Sequence, residues 1–87
     1  MKKSNIITLT TDEALLLQQI SESGEEDLTG LARSLQMSRQ HVAALLARLK
    51  HKGLVRIKTS YGNWWVQTSR KGTELVRSIW PELHLSY

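Results

Sequence analysis

The 87-residue chain contains no Cys and no Phe, has a single Pro, and draws only 6% of its residues from the aromatic types. Without Cys it can form no disulfide, no thiolate zinc site and no cysteine nucleophile. No apolar run approaches the about 18 residues of a membrane span, and the N-terminus does not resemble a signal peptide. We therefore expect one soluble, cytoplasmic domain over residues 1–87, with a core at about 10–80 and terminal segments at 1–8 and 82–87.

The acidic and basic residues are unevenly distributed along the chain. Residues 31–87 hold ten of the twelve Lys and Arg residues but two of the eight Asp and Glu residues, a net charge of +8. Residues 1–30 carry a net charge of −4, so the whole chain carries +4. A strongly positive surface attracts polyanions and speeds their encounter, which makes nucleic acid the first partner to consider. The net charge alone does not exclude a basic protein that binds no nucleic acid.

Start and stop signals predict three helices in the first half of the chain. Thr10, Asp27 and Ser38 are candidate N-caps, and Glu13, three residues after Thr10, completes a capping box. Gly residues follow the first and third helices, as is typical of helix ends. The predicted buried stripes consist of Leu15, Leu16, Leu17 and Ile20, then Leu28, Leu31, Ala32 and Leu35, then Val42, Leu45, Leu46 and Leu49.

After the third helix the spacing of apolar residues changes from the period of a helix, about 3.6 residues, to the two-residue period of a strand. This change predicts a β-hairpin. Residues 54–59 and 64–68 alternate as strands, and residues 60–63 supply turn chemistry. We interpret residues 25–27 as a solvated acidic link, so the predicted sheet has two strands. Ser69 can cap a last helix. The apolar side of that helix is predicted to contain Leu75, Val76, Ile79 and Trp80.

This order of elements and several short motifs carry a resemblance to a known family. Residues 31–42, with the Leu residues of 45–49 and Gly-Leu-Val at 53–55, resemble the DNA-binding core of MarR-type transcription regulators and their winged-helix relatives. Residues 68–72 are similar to that family's strand-to-helix junction. The resemblance covers roughly residues 10–80. It implies an α+β, mostly α fold, the winged helix-turn-helix, with a three-helix core, a two-stranded hairpin wing and a C-terminal helix.

The resemblance also implies that helix 38–52 enters the major groove of DNA. Helical geometry turns one side of this helix away from its apolar stripe, the side that carries Gln40, Ala44, Ala47, Arg48 and His51. Arg pairs bidentately with guanine and Gln with adenine, Ala permits close approach, and a capped helix N-terminus can hold a phosphate. An amphipathic helix that only shows polar residues to water is the alternative. The predicted DNA contacts of this helix are Ser38, Arg39, Gln40, His41, Ala44 and Arg48.

By the same resemblance, hairpin 54–68 is a wing that lies on the DNA backbone. Its predicted contacts are Arg56, Lys58, Ser60, Tyr61 and Asn63. Many relatives carry Asp-x-Arg near the wing tip and insert the Arg into the minor groove, whereas this chain has Ser60-Tyr61-Gly62. We therefore expect phosphate contacts, which position a protein without reading sequence, rather than minor-groove insertion.

The Trp residues leave two questions open. Trp64 and Trp65 are adjacent on one predicted strand, so their rings face opposite sides, and Trp64 points inward with Val66. The ring of Trp65 then contacts DNA, a second subunit or the C-terminal helix, or it packs against side chains of this chain. The intramolecular candidates are Tyr61, Leu83 and Leu85. Trp80 is assigned either to the core or to a dimer contact.

The sequence offers little catalytic chemistry. His41, His51 and His84 lack metal-ligand spacing, no serine has a marked His and Asp partner, and no Gly-rich phosphate loop is present. We expect neither an enzyme nor a metal or cofactor site. The leading hypothesis is a sequence-specific regulator of transcription that binds double-stranded DNA. The alternatives are a protein-interaction module that uses Trp65 and a sequence-blind DNA-binding accessory protein. MarR-type regulators are longer and dimerise through additional helices, so the sequence leaves open whether this chain forms a homodimer. We expect no small-molecule effector.

Overall fold

The computed structural model of the chain describes residues 8–79, which form four helices and a three-stranded antiparallel sheet. In chain order the elements are α1 (Thr11–Ser23), β1 (Glu26–Asp27), α2 (Leu28–Leu35), α3 (Arg39–His51), β2 (Val55–Ser60), β3 (Asn63–Thr68) and α4 (Arg70–Ile79). The predicted order of helices and hairpin is confirmed. The expectations for Trp80, Leu83, Leu85 and His84 lie outside the described residues.

The helices begin where the capping residues predict. Thr10, Asp27, Ser38 and Ser69 each accept, through a side-chain oxygen, a hydrogen bond of 2.9–3.1 Å from the backbone N–H three residues later. At α1 the Glu13 carboxylate also accepts from the Thr10 N–H at 3.0 Å, which completes the capping box. These bonds satisfy backbone donors that helical geometry leaves without partners.

The acidic segment before α2 differs from its prediction. Glu26 and Asp27 form β1 and pair with Val66 and Trp65 of β3, so the strand order is β1-β3-β2. The wing sheet therefore has three strands rather than two, and only Glu25 of the predicted link remains an exposed connection. A two-residue strand carries no detectable alternation of polar and apolar side chains, so the sequence pattern could not reveal it.

The hairpin turn lies at residues 60–63, as the sequence predicts. Ser60 pairs with Asn63, and Tyr61 and Gly62 form a two-residue loop with φ of 52° and 78°. Two successive positive φ values are typical of a type I′ turn, whose twist matches that of the flanking strands. Gly adopts this conformation freely, but a residue with a bulky side chain is strained there. Tyr61 is nevertheless fully exposed, so no packing contact compensates for its conformation.

The core lies between the helices and the inner face of the sheet. Its buried apolar residues are Leu16, Leu17, Ile20, Leu31, Ala32, Val42, Leu45, Leu46, Leu49, Leu54, Val55, Val66 and Val76. Trp64 packs against this cluster, as predicted from its place beside Val66. Leu15 and Ile79 were expected to be buried, but they are 43% and 42% exposed. Three consecutive residues of a helix cover about 200° of its circumference, so one of residues 15–17 must point outward.

Candidate nucleic-acid interface

The outward face of α3 is arranged as the sequence predicts. Val42, Leu45, Leu46 and Leu49 are buried against the core. The side chains that helical spacing places opposite them are all exposed, namely Gln40, Ala44, Ala47, Arg48 and His51, together with Arg39 in the first turn. This helix contains Arg, Lys and His but no acidic residue. Its free surface therefore carries Arg39 in the first turn and Arg48 and Lys50 near the end, with two small residues in the middle that leave room for close approach.

The first turn of α3 is held by Ser38. The Ser38 Oγ accepts a hydrogen bond of 3.0 Å from the His41 N–H, and its own hydroxyl proton remains a donor. The N–H groups of the first turn of a helix have no carbonyl partner within the helix, and they carry the positive end of its dipole. The exposed N-terminus of α3 can thus receive an anion beside Ser38 and Arg39.

The ring of His41 is turned toward α1. Its Nε2 lies 2.9 Å from the Oδ2 of Asp12, and both side chains are about half exposed. A solvent-exposed contact of this kind adds little to stability, but it fixes the direction of the imidazole. With Nε2 occupied by Asp12, only Nδ1 and the ring faces of His41 remain for another partner. Sequence reasoning placed His41 at the interface and did not foresee this contact.

A second link joins the C-terminal end of α3 to the start of α1. The Lys52 Nζ donates to the Glu13 Oε1 at 2.9 Å and to the Thr8 carbonyl at 2.8 Å. Glu13 is 1% exposed. Burial raises the pKa of its carboxyl, but hydrogen bonds from Lys52 and the Thr10 N–H and the nearby positive charges outweigh this, so the pKa lies below its ordinary value. The two ends of α3 are therefore both attached to α1, through Asp12 and Glu13.

The sequence analysis assigned Glu13 to capping alone and Lys52 to the helix dipole, and it missed their ion pair. The available signal was position: Glu13 lies three and four residues before Leu16 and Leu17, in line with the buried stripe of α1. A carboxylate in a buried stripe requires a partner.

The strand register places the predicted wing residues on one outer face. Arg56 pairs with Gln67, Lys58 with Trp65, and Ser60 with Asn63. Directly opposed residues of antiparallel strands point to the same side of the sheet, and this side is opposite to Val66 and the core. We call this surface, Arg56, Lys58, Ser60, Asn63, Trp65 and Gln67, the outer wing face.

Trp65 is half-buried within the outer wing face. Of the partners that the sequence left open for its ring, Tyr61 is excluded, because the Tyr61 side chain is fully exposed at the wing tip. Instead, Trp65 stands between Lys58 on β2 and Asp27 on β1. Beside it is an open hollow of about 360 Å³ lined by Glu25, Arg56, Ile57, Lys58, Trp65 and Gln67.

Residues 8–79 contain neither a cluster of metal ligands nor a membrane-spanning helix. No three His, Asp or Glu side chains of this segment converge as metal ligands would. None of the helices α1 to α4 has the length and apolar composition to span a membrane.

Comparison with known proteins gives similarity at the level of structure. No protein-family model and no curated protein sequence matches the chain. The solved structures similar to it include AbsC, a MarR family transcriptional regulator from Streptomyces coelicolor, with a TM-score of 0.75 and 20% identity over 85% of this chain and 53% of that one. Bordetella bronchiseptica BpsR gives 0.77 and 19% over 88% and 56%, and reduced AbfR bound to DNA gives 0.77 and 19% over 83% and 52%.

These structures bear on two expectations from the sequence. The chain spans about half the length of each of them. The expectation that no small-molecule effector acts here finds no support among them, because the DNA binding of BpsR is regulated by 6-hydroxynicotinic acid. The element order of residues 8–79 and these similarities agree with each other. The chain therefore has the winged helix-turn-helix fold of the MarR-type transcription regulators, as its sequence motifs predicted.

Proposed function

We propose that the chain binds double-stranded DNA in a sequence-specific manner and regulates transcription, with α3 in the major groove and the wing on the DNA backbone. One observation carries the proposal. The exposed side of α3 presents cationic, amide and small side chains and no carboxylate, while its other side is anchored in the core. A recognition helix needs such a surface, because it must approach base edges closely and neutralise phosphates.

Each residue type on α3 has a role in this arrangement. Arg39 and Gln40 lie in the first turn, where recognition helices contact base edges, and they suit guanine and adenine respectively. Ala44 lies one turn further along the same side and leaves space for a thymine methyl group. Arg48 and the N-terminal N–H groups beside Ser38 bind phosphates. His41, whose Nε2 is bonded to Asp12, offers its Nδ1 at the edge of this contact.

The wing adds contacts to the backbone. Arg56 and Lys58 are exposed cations on β2, and Ser60 and Asn63 form the last pair before the tip. These groups bind phosphate oxygens, which set the orientation of α3 without reading sequence. Among the similar structures, AbfR was solved bound to DNA, which supports DNA as the partner of this fold.

The first test is a fluorescence-anisotropy titration of the protein into a labelled random-sequence duplex between about 50 and 200 mM salt. We expect binding that weakens steeply with salt. The double variant Arg39→Glu/Arg48→Glu is expected to bind at least about 100-fold more weakly, because two phosphate or base contacts become repulsive. The matched control is Arg70→Glu/Arg77→Glu, which makes the same charge change at exposed positions of α4.

The control separates a local contact from a general loss of positive charge. An α4 variant that loses as much affinity as the α3 variant would contradict the placement of α3 in the groove. A wild-type protein that fails to bind the duplex at the lowest salt would overturn the proposal. Selection of preferred sites from the random pool then gives the ratio of specific to non-specific affinity, and a ratio near one would favour the sequence-blind accessory protein.

Tyr61 provides a separate prediction about the wing tip. Its positive φ and full exposure indicate a residue retained for function at some cost in stability. Tyr61→Asn places the favoured Asn-Gly pair in a type I′ turn, so we expect the free energy of unfolding to rise by about 1 kcal/mol and duplex affinity to fall. Thermal unfolding is the measurement, and the expected gain in Tm is about 5 °C.

The control for this variant is Ser60→Asn, one residue earlier and outside the left-handed region. It introduces the same side chain without relieving strain, so no gain in Tm is expected. A lower Tm for Tyr61→Asn would show that the positive φ of Tyr61 does not strain the tip.

A further inference from the structure

The outer wing face contains a feature that duplex binding by α3 does not use. Trp65 is an aromatic side chain on the solvent side of the sheet, and it forms one wall of the 360 Å³ hollow. The core lies on the other side of the sheet, with Val66 and Trp64. The indole of Trp65 is therefore not part of the core, and the exposed part of its ring is available to a partner.

The charged residues around Trp65 are separated by sign, with cations on one side of the indole and a carboxylate on the other. Arg56 and Lys58 lie on β2, on one side of the indole, and Gln67 adds a neutral amide on the same strand as Trp65. Glu25 lines the hollow, and Asp27 of β1 lies opposite the cations, across Trp65. An anionic group is thus attracted to the β2 side and repelled from the β1 side. A bound molecule must place its anion over Arg56 and Lys58 and its planar, uncharged part toward Trp65.

We propose that the outer wing face binds single-stranded nucleic acid, with an unpaired base stacked on the Trp65 indole and its phosphate held by Arg56 and Lys58. Every base has a π face, so stacking on an aromatic side chain flanked by cations is a general way to hold single strands. Gln67 can donate to or accept from the edge of the stacked base. The six-residue strands β2 and β3 give the face a length of about 20 Å, which suits a short run of nucleotides rather than a duplex.

The placement of the cations favours nucleic acid over a protein partner. The centres of protein interfaces are depleted in Lys and enriched in aromatic residues and Arg, whereas here Lys58 as well as Arg56 lines the hollow with Trp65. The inference does not depend on the role of α3, because α3 residues do not line the hollow.

The test is a titration of the full chain into 5′-fluorescein-labelled (dT)10 at low salt, followed by anisotropy. We expect binding by the wild type, and Trp65→Ala is expected to weaken it about tenfold or more through the loss of base stacking. Trp65→Phe keeps an aromatic face and is expected to recover most of the affinity. Arg56→Gln/Lys58→Gln is expected to reduce the slope of log K against log salt by about 1.4, the value for two phosphate contacts on a single strand.

Two comparisons make the result specific. Trp65→Ala should leave the affinity for duplex DNA close to wild type, because the ring lies outside the α3 surface and is not among the wing groups proposed to contact the duplex. Its thermal unfolding should remain a single cooperative transition, with a Tm lowered by the loss of the half-buried ring. Arg39→Glu/Arg48→Glu should lose duplex binding but keep its affinity for (dT)10 within about threefold, since only the long-range field changes at the wing. The two activities are thus separated by two variants, and either can fail without the other.

The proposal is overturned if the wild type does not bind (dT)10 at the lowest salt. It is also overturned if Trp65→Ala and Trp65→Phe bind (dT)10 as tightly as the wild type. That second outcome would mean that the strand follows the cations alone and would leave the indole to a protein partner.

Discussion

Gly72→Ala is expected to lower the free energy of unfolding by about 3 kcal/mol or more, although Ala is normally the better helix former by about 1 kcal/mol. Gly72 lies in the first turn of α4 and is buried. A Cβ at this position would overlap the Leu54 carbonyl oxygen and lie 3.0 Å from the Leu54 carbon. Both are backbone atoms, so no side-chain rotation can relieve the overlap.

The surrounding hydrogen bonds explain why the backbone cannot simply move away. The Leu54 carbonyl accepts from the Ser69 N–H at 2.9 Å, and the Ser69 Oγ donates to the Gly53 carbonyl at 2.6 Å while accepting from the Gly72 N–H. The start of α4 is thus fastened to the chain between α3 and β2. A shift large enough for a methyl group would break these bonds or open the core at Val76.

Urea or thermal unfolding of Gly72→Ala measures the effect, with Ser78→Ala as the control at an exposed position of the same helix. The control is expected to gain a few tenths of a kcal/mol from helix propensity. A Gly72→Ala protein as stable as the wild type would show that α4 does not approach the Leu54 backbone as closely as described.

Lys52→Met is expected to destabilise the fold by about 2 kcal/mol at neutral pH. Met retains most of the apolar stem of Lys but leaves the buried Glu13 carboxylate without its ammonium partner. The Lys52 side chain is 30% exposed, so water reaches the pair and the effect stays below that of a fully buried ion pair. Lys50→Met is the matched control, because Lys50 is exposed on the same helix and the change of net charge is equal.

The pH dependence of this effect follows from the direction of the Glu13 pKa. The pKa is lower in the folded chain than its ordinary value of 4.5, so the contribution of Glu13 to stability is complete above that value. It is lost as the pH falls through the folded pKa and the carboxylate takes up a proton. The stability difference between wild type and Lys52→Met should therefore shrink on acidification from pH 7, as measured by urea unfolding at each pH. A difference that is constant from neutral to strongly acidic pH would contradict the role of the ion pair.

The parts of the fold that the sequence predicts are those with strong local signals. The cap residues Thr10, Asp27, Ser38 and Ser69 mark the helix starts because each satisfies backbone donors within its own turn. The change of hydrophobic period after α3 marks the hairpin because the alternation of polar and apolar residues lies within each strand's own sequence. β1 escaped prediction because two residues have no period, and its partner strand lies far away in the sequence. Leu15 and Ile79 were misassigned because an apolar side chain alone does not tell which side of a helix faces the core.

The candidate interface also has a part that the sequence predicts and a part that it does not. The exposed residues of α3 follow from helical geometry once the buried stripe is known, so Arg39, Gln40 and Arg48 could be placed from sequence. The side contacts of α3 with α1, through Asp12 and Glu13, could not, because their partners are 29 and 39 residues away. The outer wing face depends on strand register, which the hairpin loop length decides. The turn predicted at residues 60–63 has the same centre as the observed one, so it is compatible with the observed pairing of Lys58 with Trp65.

The short strand β1 also bears on how the chain folds. Glu26 and Val66 are 40 positions apart, and the segment between them contains α2, α3 and β2. The hairpin of β2 and β3 closes over two residues and can form early, whereas β1 can pair only after a long loop has been closed. Asp27 belongs to β1 and also caps α2, the first helix of the helix-turn-helix. The pairing of β1, the last strand expected to join the sheet, therefore also fixes the start of α2. The wing and the helix-turn-helix are therefore expected to gain and lose their structure together, as one cooperative unit.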